Sequence, residues 1–150
     1  MNISICMATI KDLPQLLPLL EQLGYPTNSE ELERHLQKFT SLEGYGVAVA
    51  KLSEGNIIGL VAWSKSQLFV VNKTRFHIEA LVVGENYRSK GIGEKLMLFV
   101  ENIAKTSSPV IIDLTSGTRR ADAGSHRFYQ KLGYKNEGLM AKLYLRKEVI

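Results

Sequence analysis

Cysteine is almost absent from this chain: Cys6 is the only one in 150 residues, so an internal disulfide is excluded. Its place in an apolar N-terminal run reads as a buried structural thiol rather than a reactive one. Histidine is also scarce, and the three histidines have no partners at ligand spacing, so no metal site is expected. No apolar run approaches the ~20 residues of a membrane helix. The start, Met1-Asn2-Ile3-Ser4-Ile5, lacks the basic and apolar stretches of a signal peptide, so the expectation is a cytoplasmic protein without a membrane partner. Repeats, linkers and low-complexity tracts are missing too. With 45% hydrophobic and 23% charged residues the chain is an ordinary globule, and its length suits one domain, 1–150, with a self-sufficient core.

What is present begins with an excess of positive charge, +4 at neutral pH. A basic balance suits a nucleic-acid partner, but the basic residues are scattered. Arg119-Arg120 and Arg146-Lys147 are the only adjacent pairs, and neither lies in an aromatic ribbon or a recognition helix. This argues against nucleic acid, and an anionic small ligand accounts for the charge equally well.

The organising stretch runs from Phe76 to Lys105. Phe76, Ile78, Ala80 and Val82 alternate with His77, Glu79, Leu81 and Val83, the pattern of a strand with two largely buried faces. Glu79 then falls among apolar neighbours, where a carboxylate needs a reason. After the turn Arg88-Ser89-Lys90-Gly91-Ile92-Gly93, Leu96, Phe99, Val100 and Ile103 take helical spacing. Glycines there let the backbone approach an anion, and the first turn of the helix supplies unpaired N–H groups at its positive dipole end.

The remainder predicts an α/β (α+β) fold. Ile3, Ile5 and Met7 form a first strand, Thr9 and Asp12 a capping box, and Leu13 to Leu23 a helix ended by Gly24. Ser29 opens a second helix with Leu32, Leu36 and Phe39 on its inner face. Tyr45 to Ala50 and Ile57 to Trp63 form an antiparallel hairpin about Ser53-Glu54-Gly55-Asn56, and Gln67 to Val71 is a further extended run. Val110 to Leu114 is a buried β-branched strand. Strand, helix, strand implies that it lies parallel to the organising strand. Asp122 or a neighbour starts the last helix, Gly133 in the left-handed conformation stops it, Tyr134 folds back on Phe128 or Tyr129, and Leu139 to Leu145 is a closing strand.

Arg88-x-x-Gly91-x-Gly93, between an apolar strand and an amphipathic helix, resembles the acyl-CoA pyrophosphate loop of the GNAT superfamily of N-acetyltransferases. A second block, Ala123 to Tyr134 with Phe128-Tyr129 and Gly133-Tyr134, resembles that family's later helix. The resemblance is strong over 76–134 and architectural before it. It implies a single domain of about four helices on a mixed sheet, with two central parallel strands that splay to admit CoA. It also implies acetyl-CoA as acyl donor, with Arg88, Ser89, Lys90, Gly91, Ile92 and Gly93 at its pyrophosphate and the backbone of Leu81, Val82 and Val83 pairing with pantetheine amides. Ser116 is carried over as a contact although many members have Asn there, and the segment Gly84 to Tyr87 lacks the proline often found before the loop.

Acetyl transfer from a thioester to an amine needs an uncharged amine, a held oxyanion and a proton for the departing thiolate. Tyr129 is the candidate acid, since a phenol near ~10 can protonate a thiolate whose conjugate acid lies near ~8.5, and the family's matching Tyr has this role. Packing beside Phe128 is its bland alternative. Glu79 is the candidate base, directly or through water; pairing with a buried Arg or Lys is the other reading. The expected function is N-acetylation of a primary amine of unidentified acceptor, with a homodimer left open. The rivals are a CoA-binding sensor or regulatory subunit that does no chemistry and a basic nucleic-acid-binding domain. Small amines, aminoglycosides, amino acids and proteins all remain open as acceptors, and Arg119 and Arg120 have no assigned role.

Overall fold

The computed structural model describes residues 1–116, 125–136 and 144–150. The chain divides after Leu114 into two parts. In the first, five strands form one sheet in the order β1 (Ile3–Met7), β2 (Gly46–Leu52), β3 (Ile57–Gln67), β4 (Thr74–Val83) and β5 (Val110–Leu114). Pairs β1–β2, β2–β3 and β3–β4 are antiparallel, and β4–β5 is parallel. Three α-helices belong to this part: α1 (Leu13–Leu23), α2 (Ser29–Ser41) and α3 (Ile92–Ala104). A fourth, α4 (Ser125–Lys131), lies in the second part. This is the expected α/β class with its mixed sheet.

Local signals set the boundaries. The Thr9 N–H donates to Asp12 Oδ2 at 2.8 Å, opening a short 3₁₀ turn, Ile10–Asp12, that feeds α1. Asp12 is buried, and Lys51 Nζ lies 3.5 Å from its other oxygen. α1 runs through Pro18 and ends at Gly24, with φ 104°, where Tyr25 N–H reaches Leu20 O at 2.9 Å. Asn28 caps α2, its Oδ1 accepting from Glu31 N–H at 2.9 Å.

The sheet is covered on both faces. Leu13, Leu16 and Leu19 of α1 and Leu32 and Leu36 of α2 pack with Val47, Val49, Leu60 and Val82 on one face. On the other, α3 buries Ile92, Leu96, Met97 and Val100, and Phe99 meets Trp63 edge to face at 6.3 Å. Each fully buried aliphatic side chain of this kind contributes ~1.5–3 kcal/mol. Gly59 permits the close fit, since a Cβ there would stand 3.2 Å from Leu96 Cδ1 and 3.1 Å from Val82 O.

Three expectations change. The run Gln67 to Val71 is not a separate strand: β3 extends to Gln67, and Leu68 to Lys73 form the turn into β4, closed by Leu68 N–H to Lys73 O at 3.0 Å. Phe69 and Val70 stand in solvent at its tip, so β propensity yielded to the need for a reversal. β5 is half-buried rather than buried, with Ile111 exposed, because among the described residues it pairs with β4 alone. The third change is in β4. Ala62 pairs with Ala80 but Trp63 with Ile78, so Glu79 is the extra residue of a β-bulge. The bulge moves Ala80 and Val82 to the face opposite Phe76 and Ile78, and all four do not share one face. Asp122, Arg119, Arg120 and residues 139–143 of the expected closing strand lie outside the described residues.

Candidate active site

The turn before α3 has a backbone geometry that suits an anion. Ser89, with φ 61°, and Gly91, with φ 80°, both take the left-handed conformation, a costly one for serine. Alternation of this kind turns successive N–H groups to one side. Gly91 caps α3, and a Cβ placed on it would meet nothing within 4 Å, so its outer side is open. Arg88, Ser89 and Lys90 are exposed around it, and Ile92 anchors the turn in the core. The arrangement fits a pyrophosphate: a bare backbone, the N-terminus of a 13-residue helix and two cations.

Upstream, β4 offers an open edge. Its pairing with β5 ends at Ile78 with Leu114, and among the described residues Glu79 to Val83 have no β5 partner. The Gly84 N–H points to β3, donating to Ile58 O at 2.8 Å. The Val83 carbonyl of the same peptide therefore points away from β3, and Leu81 shares its sense by alternation. The Val83 carbonyl is already engaged: Gln22 of α1 donates to it at 2.8 Å, while Gln22 Oε1 accepts from Glu85 N–H at 3.1 Å. Val82 has its side chain in the core and its backbone turned to β3. Of the three residues expected to present backbone to a ligand, Leu81 is thus the most open.

Glu79 is exposed rather than enclosed, its side chain 43% accessible, because the bulge lifts it from the sheet. Ser64 Oγ donates to Glu79 Oε2 at 3.1 Å. His77 Nε2 stands 4.0 Å from the same oxygen, and its Nδ1 lies 2.6 Å from Asp113 Oδ1 on β5. Arg75 Nη2 also approaches Nδ1, at 2.9 Å, but one nitrogen cannot donate to Asp113 and accept from Arg75. The shorter carboxylate contact decides for Nδ1–H donating to Asp113, which leaves Nε2 toward Glu79. Arg75 Nε donates to Asp113 Oδ2 at 2.7 Å. Partial burial would raise the Asp113 carboxyl, but the hydrogen bonds and charges of Arg75 and His77 outweigh it and hold it below the usual aspartate value.

Beside Glu79 a cavity of about 170 Å³ opens between the first two helices and the sheet. Its walls include Leu16, Leu36 and Phe39 from the helices and Leu60, Ala62 and Ala80 from the strands. Among the described residues Glu79 and His35, both exposed, are the only polar ones at its border.

In the part after Leu114, Tyr129 lies on α4 with its ring edge-on to Phe128 at 5.1 Å and to Tyr134 at 6.2 Å. Tyr134 N–H reaches Tyr129 O at 3.0 Å and Gly133 N–H reaches Gln130 O at 3.0 Å, with Gly133 at φ 95°, a Schellman ending. The expected stop and fold-back are both there. Ser116 Oγ and His126 Nε2 are buried and have no hydrogen-bond partner among the described residues. A buried polar atom of that kind calls for a ligand or water.

The model of the Acetyltransferase (GNAT) family matches residues 13–134. The chain belongs to the GNAT acetyltransferase family. A GNAT family acetyltransferase from Staphylococcus aureus is similar over 99% of this chain and 100% of that one, with 27% identity and a TM-score of 0.80. Glucosamine-6-phosphate N-acetyltransferase from Arabidopsis thaliana, at 22% identity, covers 97% of this chain and 100% of its own with a TM-score of 0.78. An aminoglycoside 6'-N-acetyltransferase from Acinetobacter baumannii, at 18% identity, covers 99% of both chains with a TM-score of 0.79. The last two share the fold. GNAT membership supports acyl-CoA-dependent N-acetylation with acetyl-CoA as donor.

Within this GNAT domain the structure strings Glu79, Leu81 to Val83 and Arg88 to Gly93 along one continuous path, from the bulge through a 3₁₀ turn, Glu85–Tyr87, to α3. Tyr129 and Ser116 belong to the other part. Sequence reasoning missed Gln22 and Asp113. Gln22 carries no signal beyond being a polar residue near a helix end, and Asp113 stands out only as the one charge in a β-branched strand. Among the described residues no group of three or more His, Cys, Asp or Glu could hold a metal ion, and no helix is long and apolar enough to cross a membrane.

Proposed function

We propose that this chain, acting as one domain over 1–150 in the cytoplasm, transfers the acetyl group of acetyl-CoA to a primary amine by direct attack. Acetyl-CoA supplies an activated thioester carbonyl. Glu79 takes a proton from the acceptor's ammonium, directly or through water, and frees the nitrogen lone pair. The N–C bond forms at the carbonyl carbon, the carbonyl electrons pass to oxygen, and a backbone N–H on the open edge of β4 holds that charge. Their return breaks the C–S bond, and Tyr129 gives its phenolic proton to the departing thiolate. The products are an N-acetyl amine and free CoA: of the three ammonium protons one goes to Glu79, a second leaves the nitrogen to solvent as the C–S bond breaks and the third stays on the amide, and Tyr129 regains its proton from solvent.

The observation that carries the reading is the bulge at Glu79. It lifts a carboxylate from the sheet where β5 pairing stops and beside the mouth of a cavity, upstream of the anion-binding turn. Bulges commonly re-aim a side chain in this way. The Arg88 to Gly93 turn is the donor's anchor, and Ser116 a further contact supported by its unpartnered buried hydroxyl.

The test is acetyl-CoA calorimetry together with thiol release in the presence of amines. Wild type should bind acetyl-CoA and release thiol only when an amine is present. Gly91→Val should abolish acetyl-CoA binding in a folded protein, since it puts a branched side chain at φ 80° on the open side of the turn. Unchanged affinity in Gly91→Val would remove the donor assignment.

A further inference from the structure

The cavity beside Glu79 has a composition that selects among amines. Its volume is about 170 Å³. Its deep walls, such as Leu16 at 2% exposure and Leu36 at 7%, are aliphatic, and Phe39 closes one side. Among the described residues its accessible surface is wholly apolar, and Glu79 and His35, both exposed, stand at its border. A cavity of about 150 Å³ with such walls accommodates a benzene molecule. This space therefore suits one aryl ring or a branched alkyl group of similar size, with a cationic nitrogen left outside it at the border where Glu79 stands.

Resting on the reading of Glu79 as the acceptor-side carboxylate, we infer that the acceptor is a primary amine with a compact apolar body, an aryl or branched alkyl group seated among Leu16, Leu36 and Phe39. Charge complementarity favours one direction: Glu79 is the one acidic residue at the cavity's border among the described residues, so the ammonium is directed to that border while the apolar group fills the apolar interior. An amino sugar fits poorly. Each hydroxyl forced against these walls loses water and finds no donor or acceptor, and an apolar pocket discriminates against one such group by up to ~10²-fold.

The experiment compares 2-phenylethylamine and 3-methylbutylamine with ethanolamine and glucosamine, using purified full-length protein, acetyl-CoA and thiol detection. The expected result is a kcat/KM for the two apolar amines ~10²-fold or more above that for the two polar ones. Ala62→Leu, which fills the cavity with added carbons, should reduce that ratio at least ~10-fold, each methylene in such a pocket being worth ~10-fold or more. Phe39→Ala enlarges the same space and serves if the first variant does not fold; it should shift preference toward a naphthyl-bearing amine. Glucosamine or ethanolamine turned over as well as 2-phenylethylamine would overturn the inference while leaving acetyl transfer intact. So would a preference that neither variant alters. Acetyl-CoA bound but no amine acetylated would overturn both this inference and the enzymatic reading, and no acetyl-CoA binding would remove the latter at its root.

Discussion

Gly46→Ala is the smallest change to this protein with a large expected effect. Gly46 pairs with Trp63 across β2 and β3, and the indole lies over the glycine. A Cβ at position 46 would stand 2.4 Å from Trp63 Cζ2 and 2.9 Å from Cε2 and Cη2. Carbon atoms rest at ~3.5–4.0 Å, so the ring must retreat by about 1 Å. It has nowhere to go. Trp63 is 2% exposed, its Nε1–H donates to Gly44 O at 3.1 Å, and Phe99 packs edge-on against it. Overpacking of this kind costs about 1–3 kcal/mol, and the strained indole hydrogen bond is worth about 1 kcal/mol more. The better strand propensity of alanine returns about 0.5–1 kcal/mol. The net loss is about 1–3.5 kcal/mol, a substantial part of the roughly 5–15 kcal/mol available to a domain. Trp63 is the only tryptophan, so urea unfolding followed by its fluorescence reports the site itself. The midpoint should fall accordingly, with a melting temperature lower by roughly 2–14 °C. Trp63→Phe, which removes the clashing atoms, should shrink the penalty of Gly46→Ala in a double-mutant cycle. A Gly46→Ala protein within about 0.5 kcal/mol of wild type would refute the packing argument.

Two further outcomes are expected. Asp113→Asn should lower stability by about 1 kcal/mol or less, since the side chain is 42% exposed and its ion pair is screened. Because the folded carboxyl titrates below its ordinary 3.8, its contribution is complete above that value and disappears as pH falls through the depressed one. The gap between wild type and Asp113→Asn in urea titrations should therefore be constant at neutral pH and close in strong acid; a gap that widens on acidification would contradict the assignment. Tyr129→Phe should lower turnover by ~10²-fold or more with melting and acetyl-CoA affinity little changed, and undiminished turnover would return Tyr129 to a packing role.

The features legible in the sequence were those decided within a few residues. The Thr9 and Asp12 contact, the left-handed stops at Gly24 and Gly133, and the glycine turn into α3 all rest on local backbone chemistry. The fold-back of Tyr134 onto Tyr129 is of the same kind. What escaped depends on distant pieces of chain. Alternation from Phe76 to Val83 looks uninterrupted, and only the register against β3 makes Glu79 a bulge. The hold of Gln22 on Val83 and Glu85 joins residues 61 and 63 positions apart, and Asp113 meets His77 across 36. Such contacts leave no periodic trace. The exposed Phe69 and Val70 misled in the opposite direction, since a β-prone composition marked the tip of a turn.

The most direct test of the account is the steady-state rate of amine-dependent thiol release by wild type and Glu79→Gln, with acetyl-CoA affinity measured in parallel. The substitution keeps shape and removes the proton acceptor at the bulge. The predicted result is a fall in kcat/KM of ~10²-fold or more at neutral pH with acetyl-CoA affinity little changed. Equal turnover by the two proteins would contradict the claim that the bulged carboxylate activates the amine.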